Sequence, residues 1–130
     1  MGHHVRSSKK VLKPRVVSKH VEAGGVAAAV EGVSGKIYVG VCVEVDCALG
    51  LCAEQNALYN MMTNGEDKFR RVVAVGWDGK VMAPCGVCRE LMVQIMGSEY
   101  RDIEVLMDYE AGRVEKLGNL TPEWWISTEE

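Results

Sequence analysis

The sequence predicts a layered α/β fold in which strands of one sheet alternate with helices. Three stretches carry that prediction. Across Lys36 to Val45, Ile37, Val39, Val41 and Val43 alternate with other residues, the period of a half-buried strand. From Cys52 onward the spacing changes: Ala53, Ala57, Leu58, Met61 and Met62 fall on one helical face, and Asn64-Gly65 stops it. Arg71 to Trp77 then reads as a buried strand, and Gly86 to Met96, ended by Gly97, as a second amphipathic helix. This alternation favours crossover connections over one sheet.

The remaining elements follow in order. The N-terminal stretch carries Lys9, Lys10, Lys13, Arg15 and Lys19; residues 1–14 are expected to be a solvated or frayed arm, with Met1-Gly2-His3-His4 either a native start or an added remnant. Val26 to Val30 is an apolar run after Gly24-Gly25, paired with the next strand through the turn Gly32-Val33-Ser34-Gly35. Asp78-Gly79 marks another turn, and Ile103 to Met107 the next strand. Met61, Met62, Met92 and Met96 lie at helical spacing and read as core.

At 130 residues and 48% apolar content, the chain fits one domain over residues 1–130 with a single core. A net charge of −3 and a pI near 5.7 leave no basic face for a polyanion. A small-molecule substrate is expected, without nucleic acid polymer or membrane as partner. No apolar stretch serves as a signal peptide or span, so the expected location is cytoplasmic. Five cysteines, an odd number, argue for metal and free thiols in a reducing compartment rather than a disulfide scaffold.

Chemistry concentrates in Cys52, Glu54 and Pro84-Cys85-Gly86-Val87-Cys88. Closed structural zinc sites use four protein ligands, whereas hydrolytic sites leave one position for water. Cys52, Cys85 and Cys88 supply three thiolates and leave that position open. A Cys-x-x-Cys pair opening a helix gains free backbone amides and the positive end of the dipole, which lower thiol pKa values. Glu54 is a poor partner for a zinc-thiolate set and is free to move protons to and from an activated water. Both ligand segments sit at strand-to-helix junctions, so neighbouring helices on one sheet face bring them together. The competing reading is a structural zinc completed by Cys42 or Cys47, which otherwise read as buried apolar residues. His20 has no paired histidine and is not expected to ligate.

Cys52-Ala53-Glu54 with Pro84-Cys85-Gly86-Val87-Cys88 resembles the signature of the zinc-dependent nucleoside deaminases, in particular the small cytidine deaminases and blasticidin S deaminases. The likeness extends from Val26 to Trp125. It implies a three-layer α/β/α fold with a mixed five-stranded sheet, one Zn²⁺ per subunit, a homotetramer with pockets between subunits, and a place in pyrimidine salvage. It further implies attack of an activated water at C4 of a pyrimidine while Glu54 protonates N3 and helps ammonia depart. The Ala83 carbonyl would accept from the leaving amine and the Ala53 amide would face the base carbonyl. Cys42-Val43-Glu44 occupies the place of an Asn-x-Glu sugar-binding pair: Glu44 is retained, and Cys42 replaces the asparagine. Gln55 stands where the family often has a charge-compensating arginine, and Arg89 matches an arginine that would donate to the ligand sulfurs. Leu120-Thr121-Pro122-Glu123-Trp124-Trp125 resembles the family tail, with Trp125 as the aromatic that caps a pocket. The implied substrate is cytidine or deoxycytidine. Blasticidin S, or another aminopyrimidine nucleoside analogue, is the runner-up, and a non-catalytic zinc-stabilised binding domain is the alternative of another class.

Overall fold

Strand β2 (Val21–Gly32) is the axis of the molecule, because both of its edges are paired. The computed structural model describes residues 1–128. Strand β3 (Ile37–Val45) runs antiparallel along one edge of β2; strand β4 (Phe69–Gly76) pairs antiparallel with the other edge over Val26 to Gly32. Beyond β4 lies strand β6 (Glu104–Asp108), in parallel, and then strand β7 (Arg113–Lys116), antiparallel.

The sheet therefore has seven strands where five were expected. The two additions are short extensions. Strand β1 (Arg15–Ser18) pairs with β2 at Val21 to Ala23, ahead of β4, and strand β5 (Val81–Met82) pairs with β4 at Ala74 and Val75, beyond β6. Every residue of β1 is exposed and β5 has two residues, so neither leaves an alternating apolar pattern. The mixed character of the sheet is as expected, with β4 to β6 its one parallel pairing among the described residues.

Helices cover both faces. Helix α2 (Ala53–Thr63) and helix α3 (Gly86–Met96) bury Leu58, Met61, Met92 and Val93 against Ala28, Val30, Val72 and Ala74. The alternate residues Ala29, Val73 and Val75 face the other way and meet Val5 of helix α1 (Gly2–Val11). Two successive residues of a strand point to opposite faces, so an almost unbroken apolar run such as Val72 to Val75 marks a strand covered on both sides.

Helix α1 corrects the expectation of a frayed N-terminus. Val5 is 3% exposed, the buried His4 ring lies 2.7 Å from a Glu31 carboxylate oxygen, and Ser8 Oγ donates to the His4 carbonyl at 3.0 Å. Arg70 also donates to Glu31. Gly2 to Val11 is amphipathic, with Met1, Val5 and Leu12 on one face, but its mean hydropathy is low, and its order comes from docking on the sheet rather than from propensity.

The placement of α2 sets the position of the chemistry. A Cβ on Gly40 would lie 2.3 Å from the Ala57 nitrogen, so only glycine lets the helix approach β3 this closely. Asn56 and Asn60, one helical turn apart, donate to the Val41 and Val39 carbonyls at 3.0 and 3.1 Å. Together these contacts clamp α2 along β3 with its first turn directed at the N-terminus of α3.

Candidate active site

Cys52 is the residue preceding α2 and Cys85 the residue preceding α3; both have extended backbone. Cys88 lies in the first turn of α3 and is fully buried. The Cys52–Cys85 and Cys85–Cys88 sulfur pairs are each 3.5 Å apart, and all three sulfurs lie within 4.8 Å of one another. Tetrahedral zinc with sulfur at about 2.3 Å needs sulfurs about 3.8 Å apart, so the spacing fits the ion.

Electrostatics point the same way. Burial and the Glu54 carboxylate push the Cys88 thiol far up, and burial and Cys85 raise Cys52. Cys85 is lowered: burial opposes ionisation there, but the Cys88 backbone amide and the neighbouring sulfurs outweigh it. Three thiols this close do not ionise together unaided, and a divalent cation supplies the charge that holds them as thiolates. Among the described residues the cluster contains these three cysteines alone. Cys42 instead accepts from the Val26 amide at 3.2 Å, and Cys47 is exposed, not buried as expected. Neither completes a four-thiolate structural site.

Glu54, two residues after Cys52, is 5% exposed and lies on the first turn of α2. Burial raises its carboxyl above the usual range, opposed by its own backbone amide and by Cys88. Such a group suits proton transfer better than an ordinary surface glutamate. Cys52, Cys85 and Glu54 line a cavity of about 710 Å³, large enough for a nucleoside. Ala53, Ala83 and Gln55 line it as well, as do Cys42 and Glu44 from β3.

Two predicted positions fall elsewhere. Arg89 does not reach for sulfur: Nε donates to the Pro84 carbonyl at 2.8 Å and Nη1 to the Leu120 carbonyl at 2.9 Å. As a residue of the α3 first turn, it is close enough to fold back on the loop ahead of Cys85. Trp125 does not line the cavity of its own chain; its indole N–H donates to Glu90 on α3 at 2.8 Å. Asn56, Asn60 and Gly40, which fix α2, escaped the sequence reading. Two asparagines at i and i+4 beside an apolar helical face were the available signal.

Three thiolates, a buried carboxylate beside them and a cavity above define a zinc-dependent hydrolase site on a three-layer α/β/α scaffold. The family model described as "Cytidine and deoxycytidylate deaminase zinc-binding region" matches residues 4–101. The chain belongs to that family. It is 33% identical over 102 residues to the cytidine deaminase of Mycobacterium tuberculosis, covering 78% of this chain and 71% of that one. The crystal structure of the Mycobacterium tuberculosis cytidine deaminase superposes with a TM-score of 0.72 at 25% identity, over 95% of each chain. That of cytidine deaminase from Burkholderia pseudomallei gives 0.70 at 27% identity, over 94% of this chain and 96% of that one. Among the described residues no helix is long and apolar enough to cross a membrane.

Proposed function

We propose that the protein hydrolyses cytidine or deoxycytidine to the uracil nucleoside and ammonia. The single observation that carries this is the placement of buried Glu54 beside the three-thiol cluster on the wall of a nucleoside-sized cavity. Cys52, Cys85 and Cys88 hold zinc, which supplies the Lewis acidity that makes hydroxide available near neutral pH. Glu54 takes a proton from the attacking water and delivers it to N3, and then carries the second proton to the amine as the bond from C4 to nitrogen breaks. One water is consumed and one ammonia leaves.

The other roles follow from position. Ala53 N–H faces the base carbonyl and the Ala83 carbonyl accepts from the leaving amine, both being backbone groups on the cavity wall. Glu44 accepts from a sugar hydroxyl, with Cys42 beside it, and Gln55 stands at the rim as a neutral dipole. Arg89 holds the loop before Cys85 in place. Residues 1–130 act as one domain, in the cytoplasm and in pyrimidine salvage. The subunit works as a homotetramer in which Trp125 caps a neighbour's cavity. Blasticidin S is set aside as substrate, because the relatives and the superposed structures are cytidine deaminases. A non-catalytic zinc domain gives no reason to bury a carboxylate beside the thiols.

Purified protein with one zinc per chain is expected to release ammonia from cytidine. Glu54→Gln should keep fold and zinc and lose turnover by about 10²-fold or more, as removal of a positioned proton carrier does. Full turnover in that variant would reject the assignment.

A further inference from the structure

The face of the sheet away from the active cavity carries a concentration of positive charge that the overall balance hides. The chain has 15 Lys and Arg against 18 Asp and Glu, yet Arg6, Lys9, Lys10, Lys13, Arg15 and Lys19 all precede the first acidic residue, Glu22. A net charge of −3 therefore does not exclude a basic face, contrary to the expectation drawn from composition.

Docking of α1 turns part of that charge into a ridge. Val5 packs on the sheet with Met1 and Leu12, which leaves Arg6, Lys9 and Lys10 exposed on the solvent side. None of the three forms an ion pair or side-chain hydrogen bond among the described residues. An exposed aromatic stands at each end of the ridge. Tyr109 Oη and Arg6 Nη1 lie 3.4 and 3.3 Å from the Cβ position of Gly2, at the start of the helix. At the other end Lys9 Nζ comes within 3.8 Å of the Cβ position of Gly79, in the turn that carries Trp77, which is 76% exposed. Two acids of these turns are tied locally, Asp78 to the Lys80 amide and Asp108 to the Ala111 amide, while Glu110 beside Tyr109 is exposed.

Helical rise sets Gly2 and Lys9 about 10 Å apart, a length over which a stacked single strand carries about three phosphates. Cations that attract phosphate, flanked by rings that take unpaired bases, are the two parts of a sequence-tolerant site for single-stranded nucleic acid. A membrane surface fits less well, because the apolar face of α1 is buried on the sheet and has nothing to insert. We propose that α1, with Trp77 and Tyr109, binds a single-stranded polynucleotide. Helices α2 and α3 cover the opposite face, so the strand lies away from the thiol cluster and is held rather than deaminated.

The test is the fluorescence anisotropy of a labelled oligothymidylate of about 16 nucleotides, which has no exocyclic amine for the catalytic site. It is titrated with the zinc-loaded protein, with Lys9→Gln/Lys10→Gln and with Trp77→Ala. The unaltered protein should bind at low salt, its log affinity falling against log salt with a slope of about −2, as three phosphate contacts imply. Removing the two charges should weaken binding about tenfold or more, and Trp77→Ala about fivefold or more, the scale of one stacked base. Both variants should keep the cytidine turnover of the unaltered protein. No binding at about 100 µM protein in low salt overturns the proposal, as does an affinity that either variant leaves unchanged, or equally tight binding to phosphatidylglycerol vesicles. A larger assembly that falls apart in Lys9→Gln/Lys10→Gln, seen by sedimentation without oligonucleotide, would show the ridge covered by another copy and overturn it too. Normal oligothymidylate binding by protein that leaves cytidine untouched would reject the deaminase reading and keep this one.

Discussion

Arg89 Nε donates to the carbonyl of Pro84, the residue directly before the ligand Cys85, at 2.8 Å, while its Nη1 holds Leu120 at 2.9 Å. One guanidinium thereby ties the metal-binding loop to the C-terminal end of helix α4 (Leu117–Leu120). Hydrogen bonds from a charged donor contribute about 1.5–3 kcal/mol each. Arg89→Ala is expected to lower thermal stability and zinc retention together, and kcat more than KM, because Ala83 and Cys85 shift with the loop. Arg89→Lys should recover little, since an ammonium lacks the fork that spans two carbonyls. Unchanged zinc retention in Arg89→Ala, measured by chelator competition, would show that the loop holds its own shape.

Gly40 is the point where α2 rests on β3. Gly40→Ala puts a carbon 2.3 Å from the Ala57 nitrogen, and overpacking of this kind costs about 1–3 kcal/mol. The helix must retreat, taking Glu54 with it. Loss of activity should therefore exceed what the fall in melting temperature explains, and a variant that is less stable but fully active would contradict this.

The cysteines should divide cleanly. Cys88→Ser is expected to abolish tight zinc binding, because it removes one of three clustered sulfurs. Cys42→Ser and Cys47→Ser should keep the metal, since the first bonds the Val26 amide and the second is exposed. Metal analysis of the three purified variants settles the ligand set; zinc loss in Cys42→Ser would restore the four-thiolate reading.

Acid should act first on α1. Burial by itself would raise the Glu31 carboxyl, but hydrogen bonds from His4 and Arg70 outweigh it and hold it below the usual carboxylate range, with Arg71 also near. A carboxyl depressed in the folded state contributes stability that is complete above its unfolded value and is lost as pH falls through the folded one. Amide exchange in Gly2 to Val11 should speed up in that window ahead of the sheet. Glu31→Gln should weaken docking near neutral pH and flatten the acid dependence; an identical acid slope in the variant would remove Glu31 as its cause.

Much was legible because periodicity and ligand chemistry are local. The strand across Lys36–Val45, both long helices and their stops at Asn64-Gly65 and Gly97 follow from side-chain spacing and helix-ending residues. The Cys52, Glu54 and Cys-x-x-Cys pattern announced its chemistry from residue types alone. Strands β1, β5 and β7 were not legible: β1 and β7 bury little, and β5 is two residues long. Helix α1 was missed for another reason: its apolar face is narrow, Met1, Val5 and Leu12 among basic and polar residues, and is hidden by the low mean hydropathy of the segment.

The sequence by itself determined the layered fold and pointed to the three clustered cysteines with their neighbouring carboxylate, because each depends on residue identity and short spacing. Only the tertiary structure decided that Arg89 serves carbonyls rather than sulfurs, that the Trp125 indole N–H bonds Glu90 on α3, and that a second cavity lies beside the first. Those outcomes depend on how far distant segments approach one another, which is fixed by packing at places such as Gly40 and Gly24 and leaves no local pattern in the chain.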